Sequence, residues 1–159
     1  MAALPQPSSV LRSFLIPFQG GQVLLPHSSL VEVLSFTTAL KLENAPPWVM
    51  GTVLSRARHV PLVSLERLIN GAEAGPGTYA KIVLVNTLGT DSRLPYVGLL
   101  GTDAPRLLNV EREDITWDET PVAPITGVLC RVRVKGQAAI ILDIDALEKI
   151  LAPLVRDYD

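Results

Sequence analysis

The sequence predicts a mainly β protein made of two related β units, and three observations support this. Hydrophobic residues make up 48% of the 159 residues and charged residues only 19%, a balance typical of one globular domain or of two small subdomains sharing a core. Residues 128–134 alternate in polarity, as a half-buried strand does. Thr52–Arg58 resembles Gly127–Arg133, and each is followed by an apolar strand and a short helical segment, which suggests an internal duplication.

The first half of the chain reads as a series of short strands. Residues 1–9 are rich in proline and serine, and we expect a loose N-terminal leader over 1–12. Gly20–Gly21 marks a hairpin turn, and Pro46–Pro47 excludes a helix before the fourth strand. A short helical turn at residues 66–69 follows the fifth. The expected strands are, in order, 14–18, 23–25, 30–34, 48–54 and 60–65.

The second half begins after a loop at residues 71–77, which holds three glycines and a proline and is the expected boundary between the two units. Strands are expected at 81–86, 96–100, 128–134 and 138–142. Asp143 can cap a terminal helix whose apolar face contains Leu147, Ile150, Leu151 and Leu154. Pro153 leaves the end of that helix open. We expect one domain of two subdomains over 13–152 and a C-terminal tail over 153–159.

Composition and charge exclude several classes of partner. The net charge is −2 and no stretch concentrates Lys and Arg, so nucleic acid is not an expected partner. No apolar run approaches the roughly 20 residues that span a bilayer, so no membrane insertion is expected. The N-terminus lacks a signal-peptide pattern, and Cys130 is the single cysteine, which fits a reducing compartment. We expect a cytoplasmic protein.

Residues that could support catalysis are few. There is no Gly-x-Ser-x-Gly turn, and a triad of His59 with Ser55 and Asp103, or a grouping of His27 with the serines that follow it, is possible only in principle. A small β-rich hydrolase is therefore the rival hypothesis to a non-catalytic protein.

Cofactor and metal sites are not indicated either. Two histidines and one cysteine at wide spacing form no metal-ligand pattern, and the 71–77 loop lacks the spacing of a nucleotide-binding turn. Asp143 and Asp145 are best explained as groups that stabilise a helix N-terminus. Cys130 is expected to be buried on the face that carries Val132. We expect no metal and no cofactor.

Three charged residues are not explained by core packing. Glu32 interrupts an apolar run, and Arg56 and Arg58 adjoin an apolar strand. Arginine is favoured in protein interfaces because its planar group binds carboxylates in a forked geometry and also stacks. A solvated strand face is the alternative explanation for all three.

The run Ala45–Val53, followed by Arg56 and then Val60–Leu65, resembles the central signature of CheW-like domains: a Pro-rich turn, a glycine, a strand with an arginine, and a second strand. Residues 24–26 and 30–34 are similar to the family's opening strands. Residues 97–100 and 140–143 are similar to its later strands, so the resemblance covers Phe14–Leu151.

The resemblance implies a fold of two SH3-like five-stranded β-barrels that share a hydrophobic interface. It also implies a non-catalytic adaptor that binds the regulatory domain of a CheA-like histidine kinase and the cytoplasmic tip of a chemoreceptor. By position, the residues implied in these contacts are Leu30, Glu32, Gly51 and Arg56, to which we add Arg58 as a cation beside the same strand.

Departures from the family pattern affect the same region. Leu54-Ser55-Arg56-Ala57 stands where the family usually has Asn-Leu-Arg-Gly, and Ser64 and Thr102 replace customary aspartates. These changes are similar to those of ChpC-type CheW-like proteins, which belong to chemosensory systems that control type IV pili and twitching motility. A CheW-like module that binds a different partner is the remaining alternative.

Overall fold

The computed structural model describes residues 10–71, 75–87, 89 and 94–155. Single 3₁₀ turns lie at His27–Ser29 and Arg112–Asp114. The strands and helices are β1 (Leu11–Phe18), β2 (Gly21–Pro26), β3 (Leu30–Ser35), β4 (Val49–Ser55), β5 (Arg58–Ser64), α1 (Leu65–Asn70), β6 (Lys81–Asn86), β7 (Tyr96–Gly101), β8 (Arg106–Val110), β9 (Ile115–Trp117), β10 (Val128–Val134), β11 (Gln137–Leu142) and α2 (Ile144–Val155).

The strands form two sheets, which confirms the mainly β prediction. The first sheet has the order β8-β1-β2-β11-β10-β9 and the second has the order β3-β6-β7-β5-β4. The first sheet therefore combines strands from both ends of the chain, through the antiparallel pairing of Leu11 with Val110 and the parallel pairing of Ile140 with Val23.

The predicted boundary at residues 71–77 is wrong, because β6 and β7 follow this loop and still belong to the same sheet as β3, β4 and β5. The loop joins α1 to β6 within one unit, and residues 72–74 of it lie outside the described residues. Glycine content marked a loop correctly, but a loop is not a domain boundary when the strands on both of its sides pair with one another.

The internal duplication is visible as two equivalent segments, β4-β5-α1 and β10-β11-α2. Each hairpin turns at two residues with positive φ, Arg56–Ala57 in one and Lys135–Gly136 in the other. Each helix has an N-cap side chain that accepts a backbone N–H three residues on, Ser64 at 3.3 Å and Asp143 at 3.0 Å. The equivalent turn residues and the equivalent capping residues are each 79 positions apart in the sequence. The pairing of Thr52 with Gly127 that the sequence suggested was therefore out of register by four residues.

Hydrophobic side chains form three clusters, because most strands are buried on both faces. In β6, Ile82 and Leu84 belong to the cluster enclosed by the second sheet, while Val83 and Val85 belong to the core between the two sheets. The first sheet encloses its own cluster around Leu15 and Val132. Each sheet therefore curls around a small interior and shares a larger core with its neighbour.

The second sheet curls strongly enough to bring its two outermost strands together. Val31 of β3 and Val53 of β4 contribute to the same interior cluster, although three strands separate them in the sheet. This arrangement resembles a barrel with one open seam between β3 and β4.

Each helix is attached to a hairpin of the other sheet. From α1, the Glu66 carboxylate accepts the Gln19 N–H at 3.0 Å and the Asn70 amide donates to the Gln19 carbonyl at 2.9 Å. From α2, the Glu148 carboxylate accepts the Gly89 N–H at 2.9 Å. Both glutamates are buried, and each links a helix that follows one sheet to the connection between two strands of the other.

The chain ends differ from the expected leader and tail. Strand β1 begins at Leu11, so residues 11 and 12 are paired and not part of a leader, and residues 1–9 lie outside the described region. Helix α2 continues through Pro153 to Val155. The proline removes one backbone donor, but the side chain of Val155 is fully buried in the core between the sheets, and this burial explains why the helix extends past the proline.

The two equivalent turns differ in one residue that is expected to affect stability. Ala57 has φ 60° and Gly136 has φ 80°, and nothing lies within 4 Å of a β-carbon placed on Gly136. An L residue in this conformation costs about 1 kcal/mol, and 1 kcal/mol shifts Tm by roughly 2–4 °C in a chain of this size. We expect Gly136→Ala to lower Tm by about 3 °C and Ala57→Gly to raise it by a smaller amount, measured by calorimetry. Shifts of the same sign would contradict this explanation.

Candidate functional site

Arg56 is the first residue of the tight turn between β4 and β5, just past the end of β4. Its φ of 53° together with the φ of 60° at Ala57 makes this a two-residue hairpin turn of the type that matches strand twist. The sequence placed Arg56 beside an apolar strand, and the turn instead directs its side chain out of the barrel. The guanidinium is therefore exposed and needs no buried partner.

The guanidinium of Arg56 pairs with Glu32 across the open seam of the second sheet. Arg56 Nε lies 3.3 Å from Glu32 Oε2, and the two side chains are 49% and 41% exposed. Arg56 Cζ is also 5.9 Å from the ring centroid of Tyr96 at the start of β7. Exposed pairs contribute roughly 0.2–1 kcal/mol, so this cluster orders a surface more than it stabilises the fold.

The other predicted contact residues occupy different environments. Arg58 begins β5 opposite Ser55 and is half-buried. Leu30 begins β3 opposite Val85, and it packs against the core between the sheets while keeping part of its surface exposed. The structure thus brings Glu32 and Arg56 into direct contact, and it places Leu30 on the same edge strand as Glu32.

Gly51 is buried and cannot offer a side chain to a partner. It lies at a β-bulge with φ 134°, and a β-carbon there would overlap the backbone carbonyl of Leu40. This close approach lets Leu40 and Thr52 exchange two backbone hydrogen bonds of 2.8 Å. The expectation that Gly51 itself is a contact residue therefore needs correction: its role is to hold the β3–β4 connection against β4.

Two residues close to Arg56 were not predicted from the sequence as part of the site. The ring of Tyr96 lies beneath the Arg56 guanidinium. Leu54, two residues before Arg56 in the chain, is 72% exposed. Leu54 was visible in the sequence as an apolar residue in a strand, but its face could be assigned only once the bulge at Gly51 was known.

Cys130 shares the interior face of β10 with Val132 as expected, but it is half-buried and not enclosed. The reason is the shortness of β9, whose pairing with β10 covers only Val132 to Val134. Burial still raises the pKa of the Cys130 thiol.

Some of the residues considered for catalysis make local structural contacts. Asp103 accepts the N–H of Ala104 at 2.6 Å, and His27 to Ser29 form a 3₁₀ turn. Across the described ranges no group of three or more His, Cys, Asp or Glu side chains could hold a metal ion, and none of the described helices is long and apolar enough to cross a membrane.

Together, the two curled sheets with their shared core define a β module that carries an exposed ion pair at a hairpin turn. The CheW-like domain model matches residues 13–150, and the chain therefore belongs to the CheW-like family. The fold is similar to the crystal structure of the scaffolding protein TtCheW from Thermoanaerobacter tengcongensis, with TM-score 0.67, 18% identity, and coverage of 84% of this chain and 88% of that chain. No curated protein matches the sequence.

Gly51→Ala is expected to destabilise the protein well beyond Gly136→Ala. Both glycines have positive φ, but only at Gly51 would the added carbon displace a backbone segment. Loss of the two Leu40–Thr52 hydrogen bonds together with local strain should lower the free energy of unfolding by about 3 kcal/mol. Urea denaturation of the two variants measures the difference, and equal losses would show that Leu40 moves away without cost.

Cys130 should react with thiol reagents only at higher pH than a free cysteine does. Because burial raises the thiol pKa, the reactive thiolate is less populated at neutral pH and increases as pH rises through the elevated pKa. The rate of labelling by a disulfide reagent, measured from pH 6 upward beside N-acetylcysteine, should reach half its maximum at a higher pH in the protein. A midpoint at or below that of N-acetylcysteine would contradict this assignment.

Proposed function

We propose that this protein is a non-catalytic, cytoplasmic adaptor of bacterial chemosensory signalling that couples the tip of a chemoreceptor to the regulatory domain of a CheA-like histidine kinase. The observation that supports this most directly is the exposed pair of Arg56 and Glu32, held on a two-residue turn and an edge strand at the positions of the family signature.

The site has the composition of a contact surface. It combines an exposed apolar residue, Leu54, with an arginine whose neighbours fix its orientation. A preordered arginine loses less conformational entropy when it binds than a freely rotating one. Glu32 and Tyr96 therefore prepare Arg56 for a partner, and neither contact is strong enough to be needed for folding.

We further propose that the protein serves a chemosensory system that controls type IV pili. The support for this is the departure at Ser55 and Ala57, which change the surface beside Arg56 from that of the usual family sequence. Ala57 keeps a methyl group at a turn position that favours glycine. A residue in an unfavourable conformation at an exposed site is the kind of local strain that accompanies functional surfaces.

Reversing the charge of Arg56 should separate binding from folding. Arg56→Glu is expected to change Tm by only a few degrees, since exposed substitutions usually cost under about 0.5 kcal/mol. Affinity for the kinase regulatory domain or the receptor tip should fall about thirtyfold, since removing an interfacial arginine can cost on the order of 2 kcal/mol. Calorimetric titration with each fragment measures this. Lys149→Glu is the matched control, because it reverses another exposed ion pair, with Asp145 on α2.

The combined change of Arg56→Glu and Glu32→Lys refines the interpretation. The double variant restores the ion pair with the two charges exchanged. It should therefore recover the contribution of the pair to folding stability, but not the affinity for the kinase or receptor fragment. Retention of both affinities in Arg56→Glu would mean that the kinase and receptor fragments bind elsewhere on the module and that the contact surface of the family is not used in this chain. Unfolding of Arg56→Glu would show that the residue is structural.

A further inference from the structure

A second surface lies at the other end of β4, between the β3–β4 connection and α1. It is a groove of about 340 Å³. Its walls are largely apolar, with Phe36, Leu42, Pro46 and Met50 among them, and its two charged lining residues are Lys41 and Arg67. A groove with apolar walls and only positive charge is complementary to an apolar segment that carries a carboxylate.

Arg67 is incompletely satisfied in this groove. Its Nη1 donates to the carbonyl of Pro47 at 3.2 Å, while its Nε is buried without an acceptor. The adjacent carboxylate of Glu66 accepts the Gln19 N–H and is therefore engaged elsewhere. In the part of the chain that the structure describes, no carboxylate forms an ion pair with Arg67, although a guanidinium presents five donors in a fork that suits one.

We propose that this groove binds a segment of a partner protein in which a glutamate or aspartate stands beside a bulky apolar residue. The apolar side chain lies between Pro46 and Met50, and the carboxylate accepts hydrogen bonds from the Arg67 guanidinium with Lys41 nearby. Arg67 would form charge-assisted hydrogen bonds of defined geometry with the carboxylate. Lys41 would attract it with less geometric preference, because its ammonium is a point charge on a flexible side chain. Arg67 is therefore the residue that distinguishes an acidic segment from a neutral one.

The groove is independent of the Arg56 surface. Met50 lies at the start of β4 and Arg56 follows its end, a separation of about 20 Å at roughly 3.3 Å per strand residue. Binding in the groove can therefore fail or succeed without changing the outcome of the Arg56 experiments.

The test uses the full ¹⁵N-labelled chain and two synthetic probes, acetyl-Gly-Phe-Glu-Leu-Gly-amide and its Gln analogue, followed by NMR. The glutamate probe should shift the backbone amides of Lys41 and Met50 and the Nε–H signal of Arg67. It should bind about tenfold more tightly than the glutamine probe, as expected for one charge-assisted hydrogen-bonded contact. Equal affinities, shifts at other sites, or no shift with either probe would overturn the proposal.

Variants at Arg67 separate the role of charge from that of geometry. Arg67→Gln should abolish the difference between the probes, and Arg67→Lys should keep only part of it while preserving charge and fold. Arg112→Gln, which removes an exposed arginine beside the first sheet, should leave both affinities unchanged. If Arg67→Lys retains the full difference, the carboxylate does not bind the guanidinium fork and the proposal fails. A dimer in light scattering that Arg67→Gln converts to a monomer would also refute it, because a second copy would then occupy the groove.

Discussion

The architecture depends on the core that the two sheets share and on the exchange of helices across it. Each sheet curls around an interior too small to stabilise a domain of its own size, and the other faces of the strands would be exposed without the neighbouring sheet. Leu147, Leu151 and Val155 of α2 enter the same cluster as Val63 and Val83 of the second sheet. The two units are therefore parts of one folding unit, and neither is a separable domain.

The buried carboxylates of Glu66 and Glu148 make this exchange specific. A carboxylate removed from water is costly unless it is hydrogen-bonded, and each of these accepts a backbone N–H from the opposite sheet. A relative shift of the two sheets would leave these groups without their partners. Apolar packing alone would tolerate small sliding motions, so the two polar contacts fix the register between the sheets and with it the position of every exposed site.

Much of this fold could be inferred locally from the sequence, and the parts that could not share one cause. Strands such as Lys81–Asn86 and the cap at Asp143 were expected because each depends on nearby residues. The sheet order was not, because the pairing of Leu11 with Val110 joins distant segments that no local pattern connects. The same limit applies to the site: Glu32 and Arg56 were singled out individually, but their contact, the support from Tyr96 and the burial of Gly51 all depend on how the second sheet curls.

The comparison of the two equivalent turns indicates where the duplicated units have diverged in role. In the first sheet the turn is Lys135–Gly136, with glycine at the position of larger positive φ, and within the described residues Lys135 forms no ion pair. In the second sheet the turn is Arg56–Ala57, with a strained alanine and an arginine fixed by Glu32 and Tyr96. Both turns close the same kind of hairpin, so the fold does not require this difference. The proposed contact at Arg56 would explain it, since a cation whose orientation is already set by its neighbours favours binding and only weakly affects stability.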